Sequence, residues 1–215
     1  MEKSGAGKSI LLYALSDMNK ITSGKILYKG KEISKYSEKQ MAKLRIEDFG
    51  FVFQQAQLVS NLTLFENVAV AGYLNKNMNN KQVKEKAEQL LLGMNIENAK
   101  NRLPVHTSGG ESQRGAIARA IINNPSIIFA DEPTGALNKN NSIEALNLLT
   151  ELNKEGQSIL MVTHDIKAAS RGNRLLYFED GKIIGELSLD KYEEDYCADN
   201  FNNCFYCISY ITFCT

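Results

Sequence analysis

The chain has 215 residues, which suits one domain or two small lobes, and 43% of them are hydrophobic, enough for a sizeable core. Its 25 basic and 25 acidic side chains balance, which argues against a nucleic-acid-binding protein, because such proteins carry a clustered excess of Lys and Arg. No apolar run reaches the roughly 18 residues of a membrane-spanning helix, so no transmembrane segment is predicted.

The first motif is a glycine-rich loop that ends in a lysine and a hydroxyl residue: Ser4, Gly5, Ala6, Gly7, Lys8 and Ser9. It matches most of the phosphate-binding-loop pattern, although Glu2 stands where that pattern has glycine. The backbone N–H groups of such a loop wrap a β-phosphate, the lysine reaches the β- and γ-phosphates, and the hydroxyl holds Mg²⁺. The strand that normally precedes the loop has no residues to form it, so we expect an N-terminal truncation. The alternative is a glycine-rich segment without fixed structure.

Three elements are predicted after this loop. The first is a helix that ends near residue 19, with an apolar face formed by Ile10, Leu11, Leu12 and Leu15. Residues 25–33 alternate apolar and polar side chains, which predicts an antiparallel strand pair with a tight turn. Residues 37–46 show the mostly polar, amphipathic pattern of a surface helix.

A buried strand is predicted at residues 49–53, Phe-Gly-Phe-Val-Phe, and Gln54 follows it directly. Two interpretations of Gln54 remain open here: a functional side chain, or a glutamine that caps the end of a strand. Helical periodicity then predicts helices at residues 63–74 and 81–94. With a third helix, they would form a helical lobe over about residues 64–123.

The third helix opens a stretch that carries several kinds of chemistry. The small residues Ser108, Gly109 and Gly110 form a turn before a helix that runs to about residue 123, and a helix start suits a phosphate because its N–H groups are unpaired. A short apolar run at residues 127–130 then predicts a buried strand. The two adjacent carboxylates that follow lie at its carboxyl end, where open α/β sheets bind ligands: Asp131 and Glu132.

The last elements are a helix at residues 140–154, a buried strand at 157–163, and a hairpin around residues 180 and 181. His164 follows the strand, either as a site residue or as a structural histidine at a strand end. From about residue 196 the composition changes, and the four cysteines all lie between 197 and 214, which fits a reducing cytoplasm for the core. We expect residues 192–215 to stand outside the core. A zinc site is the weaker alternative, because only one C-x-x-C pair is present.

From Glu2 to about Lys191 the chain resembles ABC-transporter ATPases, in particular the branch serving lipoprotein release, macrolide export, and antimicrobial-peptide export or resistance. Residues 129–138, Phe-Ala-Asp-Glu-Pro-Thr-Gly-Ala-Leu-Asn, and residues 161–169, Met-Val-Thr-His-Asp-Ile-Lys-Ala-Ala, carry this likeness. The resemblance implies an α/β P-loop NTPase fold within a single domain over residues 1–191. Its parts would be a RecA-like, mostly parallel sheet, an antiparallel β edge and an inserted α-helical lobe.

The resemblance also implies a head-to-tail homodimer with two ATP molecules in its interface. Each ATP would lie between residues 4–9 of one chain and residues 108–110 of the other. Asp131, with Ser9 and Gln54, would hold Mg²⁺, and Gln54 would couple the site to the transporter. Glu132 would take a proton from the attacking water while His164 supports the γ-phosphate. Two carboxylates are needed because one holds the metal ion and the other stays free as a base.

The implied function is that of an ATP-binding and ATP-hydrolysing subunit at the cytoplasmic face of the cell membrane. It would power a separate integral-membrane permease for the export of, or resistance to, peptides, lipoproteins or related amphiphiles. Two alternatives remain at this point. One is an ATPase of the cell-division type that regulates a membrane protein without transport, and the other is an inactive, truncated fragment.

Overall fold

A computed structural model describes residues 8–179, 181–188 and 208–211, with Lys8 and the last four residues described by their backbone. The helices are α1 (Lys8–Leu15), α2 (Glu38–Glu47), α3 (Leu64–Tyr73), α4 (Asn80–Gly93), α5 (Gly109–Ile121), α6 (Lys139–Lys154) and α7 (Ile166–Ala169). The strands are β1 (Leu27–Tyr28), β2 (Lys31–Glu32), β3 (Phe49–Val52), β4 (Ile127–Asp131), β5 (Ser158–Thr163), β6 (Arg174–Glu179), β7 (Lys182–Ser188) and β8 (Ile208–Ile211).

The main sheet has the strand order β3-β4-β5-β8-β6-β7. The first three strands are parallel: Phe49 of β3 pairs with Ile127 of β4, which pairs in turn with Ser158 of β5. The hairpin β6–β7 forms an antiparallel edge, as predicted from the turn between these strands. The short strands β1 and β2 pair in a separate two-stranded sheet.

Strand β8 differs from the expectation that residues 192–215 stand outside the core. Its backbone lies between β5 and β6 and pairs antiparallel with both, so that Ser209 is opposite Val162 on one side and Leu176 on the other. A strand with neighbours on both edges has its ladder groups inside the sheet. Residues 208–211 therefore fill the position between β5 and β6 in the sheet. The four cysteines of the zinc alternative lie outside the described residues.

The two faces of the sheet are covered by different hydrophobic clusters. Along β4 and β5, Ile128, Ala130 and Met161 belong to the cluster formed with α3, α4, α5 and α6, whereas Phe129 and Leu160 belong to the cluster formed with α1 and α2. Alternate residues of a strand point to opposite faces, so the two clusters lie on opposite sides of the sheet. The result is a three-layer α/β arrangement with the helical lobe on one side.

Local capping explains where most of these helices begin. Helices α2, α3, α4 and α5 each start with a capping box, in which the side chain before the helix accepts from a backbone N–H and the third helical side chain accepts in return. Helix α1 ends at Leu15, earlier than the predicted end near residue 19. Just after this helix, Asp17 adopts a left-handed φ of 54°. Ile10, assigned to its apolar face, is 63% exposed instead.

Close contacts hold the helical lobe together. A Cβ atom added at Gly72 of α3 would lie 2.7 Å from Val83 of α4, and one added at Gly115 of α5 would lie 3.2 Å from Leu64 of α3. Glycine is therefore needed at Gly72, and it lets α5 approach α3 at Gly115. The lobe of α3, α4 and α5 packs as one layer against the parallel strands.

Candidate functional site

Polar side chains of the candidate site follow three neighbouring parallel strands. Gln54 lies two residues after β3, Asp131 ends β4 with Glu132 next to it, and His164 follows β5 directly. The carboxyl ends of parallel strands meet at one edge of a sheet, which brings these residues to the same edge. Helix α1, which starts at Lys8, contacts β4 and β5.

Asp131 is held at this edge by two hydroxyl groups of α1. Ser9 Oγ donates to Asp131 Oδ1 at 2.9 Å, and the Tyr13 hydroxyl donates to Oδ2 at 2.7 Å. Asp131 is only 8% exposed, so both carboxylate oxygens have partners in a largely buried position. Burial and the hydrogen bond to Asp131 raise the pKa of the Tyr13 hydroxyl from 10.0 to about 12, so it remains a donor at neutral pH.

Glu132 and His164 are in direct contact. Nδ1 of His164 lies 2.7 Å from Glu132 Oε1, while the other carboxylate oxygen accepts from Thr163 Oγ1 at 3.2 Å. The Glu132 side chain is 14% exposed and that of His164 is 67% exposed, so the pair reaches from the sheet edge to the surface. Glu132 also has a left-handed φ of 47°, and its N–H donates to the Val162 carbonyl at 2.8 Å.

Gln54 and the turn at residues 108–110 lie near this edge with partners of their own. Gln54 is exposed and packs against Gly135, where an added Cβ atom would lie 2.9 Å from its Nε2. Ser108 caps α5 in a capping box with Glu111. A Cβ atom added at Gly110 would lie 2.5 Å from Asn141 of α6. Among the described contacts, none joins this turn to the Ser9–Asp131 pair.

The remaining predicted residues fall at the start of the chain. Ser4, Gly5, Ala6 and Gly7 lie outside the described residues, and Lys8 is described only as the first residue of α1. The structure therefore brings Ser9 to Asp131 and Glu132 to His164, and it leaves the phosphate loop itself to the sequence prediction.

Sequence reasoning missed Tyr13 and Thr163, which both touch a site carboxylate. Tyr13 lies four residues after Ser9 on a helix, a spacing that puts both side chains on one face, so a helical projection could have found it. Thr163 immediately precedes His164, and only the contact across to β4 shows its role. The signal for Thr163 is therefore not local in the sequence.

A model of the ABC transporter family matches residues 3–135. The lipoprotein-releasing system ATP-binding protein LolD of Aquifex aeolicus is 42% identical over 185 residues, which are 86% of this chain and 82% of that protein. The chain belongs to the ABC transporter family. This ABC ATPase is also 40% identical over 183 residues to the macrolide export ATP-binding/permease protein MacB of Pasteurella multocida, covering 85% of this chain and 28% of that protein.

A solved structure gives the same result for the fold. The ATP-binding cassette MJ0796, in a dimeric post-hydrolysis state with ADP and Pi, matches with a TM-score of 0.80 at 35% identity, covering 88% of this chain and 83% of that chain. This likeness confirms the predicted P-loop NTPase fold, and the relatives confirm the predicted branch of the family. The ABC ATPase is the ATP-binding and ATP-hydrolysing part of a transporter. No helix of the described residues is long and apolar enough to cross a membrane.

Proposed function

We propose that this ABC ATPase hydrolyses ATP with Glu132 as the general base and His164 as its partner beside the γ-phosphate. The observation that carries this proposal is the 2.7 Å contact between the two side chains at the ends of adjacent parallel strands. Glu132 follows Asp131, whose carboxylate already accepts from two hydroxyl groups. The oxygens of Glu132 instead face His164 and Thr163. This arrangement supports metal binding at Asp131 and proton transfer at Glu132.

Glu132 can accept a proton from water because its side chain reaches the surface beside His164. The imidazole touches one carboxylate oxygen, and the Thr163 hydroxyl and His164 N–H hold the other at 3.2 Å and 3.4 Å. These contacts fix the direction of the carboxylate before ATP binds. In phosphoryl transfer most of the catalysis comes from such positioning and from neutralising charge, so little covalent work is left to the protein.

The chemistry of Ser9 and Asp131 fits a magnesium site. Mg²⁺ prefers oxygen ligands at about 2.1 Å in an octahedron, in which neighbouring ligands lie roughly 3 Å apart. The Ser9 and Asp131 oxygens are 2.9 Å apart, so both can contact one ion when the hydroxyl hydrogen turns away. The ion would neutralise phosphate charge. Tyr13 then keeps the second Asp131 oxygen in place, and Gln54 would complete the set from the end of β3.

The turn at residues 108–110 is proposed to act on the ATP of a second copy. The first turn of α5 carries N–H groups without partners in the helix, and the helix dipole places partial positive charge there. The turn contacts Asn141 of α6 and Leu137 just before that helix, and none of its described contacts reaches the Ser9–Asp131 pair. An ATP bound at the Ser9–Asp131 pair of one chain would therefore meet the turn of a second chain. We therefore propose a head-to-tail homodimer with two ATP molecules in the interface.

A groove beside the segment after β3 is proposed to receive the permease. Its volume is about 310 Å³, and its lining includes the aromatic side chains Phe51 and Phe53, with Arg45 and Leu74 also among the lining residues. Leu74 is 60% exposed, although it is apolar. An amphipathic cytoplasmic helix of a permease, with apolar side chains on one face, would match this groove. Its docking would place the ABC ATPase on the inner face of the membrane.

The transported class is proposed from the relatives as lipoproteins, peptides or related amphiphiles. The matching relatives are a lipoprotein-releasing ATP-binding protein and a macrolide export protein, and both names describe the handling of amphiphilic molecules. The test uses the ATPase reconstituted in vesicles with its permease. A lipidated peptide should stimulate ATP turnover, and the same peptide without its lipid should not. Equal stimulation by the two peptides would contradict the proposed class.

The magnesium assignment is tested by titrating Mg²⁺ against ATP turnover. Ser9→Ala and Asp131→Asn each remove one oxygen of the proposed site and should raise the Mg²⁺ concentration for half-maximal turnover by about tenfold or more. Ser60→Ala removes an exposed hydroxyl outside the site and serves as the matched control. If both site variants respond to Mg²⁺ as the control does, these two side chains do not hold the ion.

A further inference from the structure

Two residues beside the candidate site adopt a backbone conformation that non-glycine residues rarely use. Gln57, in the segment after β3, has a φ of 48°, and Glu132, the proposed base, has a φ of 47°. The left-handed conformation is strained for a residue other than glycine and persists only where surrounding contacts determine it. Each of the two therefore needs contacts that hold it, and both sets of contacts involve α5.

The first set comes from Gln113, which is 1% exposed in the middle of the site. Its Nε2 donates to the Phe53 carbonyl at 2.9 Å and to the Pro133 carbonyl at 2.8 Å. Two carbonyl acceptors require the amide nitrogen at this place, so the orientation of the side chain is fixed by its partners. Phe53 directly precedes Gln54, and Pro133 directly follows Glu132. One amide group thus joins the backbone beside the two proposed site residues.

The second set comes from Arg119, six residues farther along α5. Its guanidinium donates to the Gln57 carbonyl at 2.6 Å and to the Ala56 carbonyl at 3.0 Å. The fork of an arginine side chain fits two carbonyls that follow each other in the chain. Farther along the segment, the side-chain amide of Asn67 on α3 accepts from the Val59 N–H and donates to the Val59 carbonyl. Residues 53–57 are therefore the part of this segment that α5 holds.

We infer that Gln113 and Arg119 are positioning residues, which hold Gln54 and Glu132 to the helix that begins with the turn at residues 108–110. The inference rests on the proposed function of these residues. Helix α5 is a rigid element, and at its start is the turn that would meet the ATP of the second copy. A displacement of α5 on ATP engagement is carried by Gln113 and Arg119 to the backbone of residues 53–57 and of Pro133. The site and the segment that borders the permease groove then move together.

Variants of Arg119 distinguish a positioning role from a merely structural one, because turnover and the ATP concentration for half-maximal turnover should respond differently. Arg119→Met retains the length of the side chain but removes its donors, so chymotrypsin should cleave after Phe53 about tenfold faster, as expected for a locally released segment. The turnover number kcat should fall by about tenfold, whereas the ATP concentration for half-maximal turnover should change by less than about twofold. Arg119→Lys keeps the charge and some of the donors and should give intermediate values.

A matched control is available in the helical lobe. Lys86 is a half-buried cation whose Nζ donates at 2.7 Å to the side chain of Asn124, another left-handed residue with a φ of 49°. Lys86→Met removes a comparable contact away from the site, and it should leave the rate of cleavage after Phe53 unchanged. Gln113→Met should lower kcat as Arg119→Met does, because the carbonyls of Phe53 and Pro133 lose their shared donor.

A rescue experiment decides whether Arg119 holds the left-handed turn. Asparagine adopts this conformation more readily than glutamine, so Gln57→Asn should restore several-fold of the lost kcat in the Arg119→Met chain. Gln55→Asn, the same change at a neighbour with an ordinary φ, should restore none. Equal effects at the two positions would overturn the inference, and so would an unchanged rate of cleavage after Phe53 in Arg119→Met or Arg119→Lys. Cleavage is measured without ATP, so its result stands apart from the assignment of Glu132.

Discussion

The hydroxyl of Tyr13 offers a direct test of how Asp131 is held. Tyr13→Phe removes one oxygen atom and keeps the ring, so the Asp131 carboxylate loses its 2.7 Å partner in a position that is only 8% exposed. A hydrogen bond to a charged group contributes about 1.5–3 kcal/mol to stability. In a chain of this size 1 kcal/mol corresponds to about 2–4 °C, so the melting temperature should fall by about 3–12 °C.

The assay is thermal unfolding without nucleotide, followed by circular dichroism. Tyr73→Phe is the control, because Tyr73 is 43% exposed on α3, and it should leave the melting temperature unchanged. The folded-state pKa of Tyr13 is raised from 10.0 to about 12, so its contribution is fully present below pH 10 and is lost as the pH rises towards 12. The difference between the wild type and Tyr13→Phe should therefore be constant from about pH 7 to about pH 10. Equal melting temperatures would refute the account of this contact.

Three further predictions concern the surroundings of the site. Gly135→Ala should slow ATP turnover several-fold without loss of stability, because the added Cβ atom would lie 2.9 Å from the flexible end of Gln54. The backbone hydrogen bond from Ser108 lowers the pKa of Glu111, so the stability advantage over Glu111→Gln should be present above pH 4.5 and disappear as the pH falls below it, as measured by urea unfolding. Ser209→Pro should lower the free energy of unfolding by about 1–3 kcal/mol, because proline cannot donate within β8. An unchanged value would place residues 208–211 outside the core.

The elements that the sequence predicted best are those with local signals. Helix α3 starts next to Thr63, within one residue of the predicted start, because the capping box with Glu66 lies within four residues of sequence. The buried strands β4 and β5 are short apolar runs, and their ends place Asp131 and His164 as the motif spacing indicated. The contacts of these residues are now described, while their catalytic roles stay a prediction.

The features that the sequence did not predict depend on distant partners. Gln113 and Arg119 both donate to backbone carbonyls about sixty positions earlier in the chain. Every residue has a backbone carbonyl, so the residue types do not indicate which carbonyls accept these bonds. The same holds for β8, since a strand is placed between two others by long-range pairing rather than by its own pattern. The left-handed φ of Glu132 also has no local signal, because glutamate has no preference for that conformation.

The central claim is that Glu132 takes the proton of the attacking water. The most direct test is ATP turnover by Glu132→Gln, which keeps the shape of the side chain but removes its ability to act as a base. The variant should bind ATP as the wild type does, lose turnover by at least about a hundredfold, and accumulate an ATP-bound dimer on a sizing column. Glu97→Gln, at an exposed position away from the site, should hydrolyse ATP normally. Hydrolysis by Glu132→Gln at the rate of the wild type would contradict the assignment.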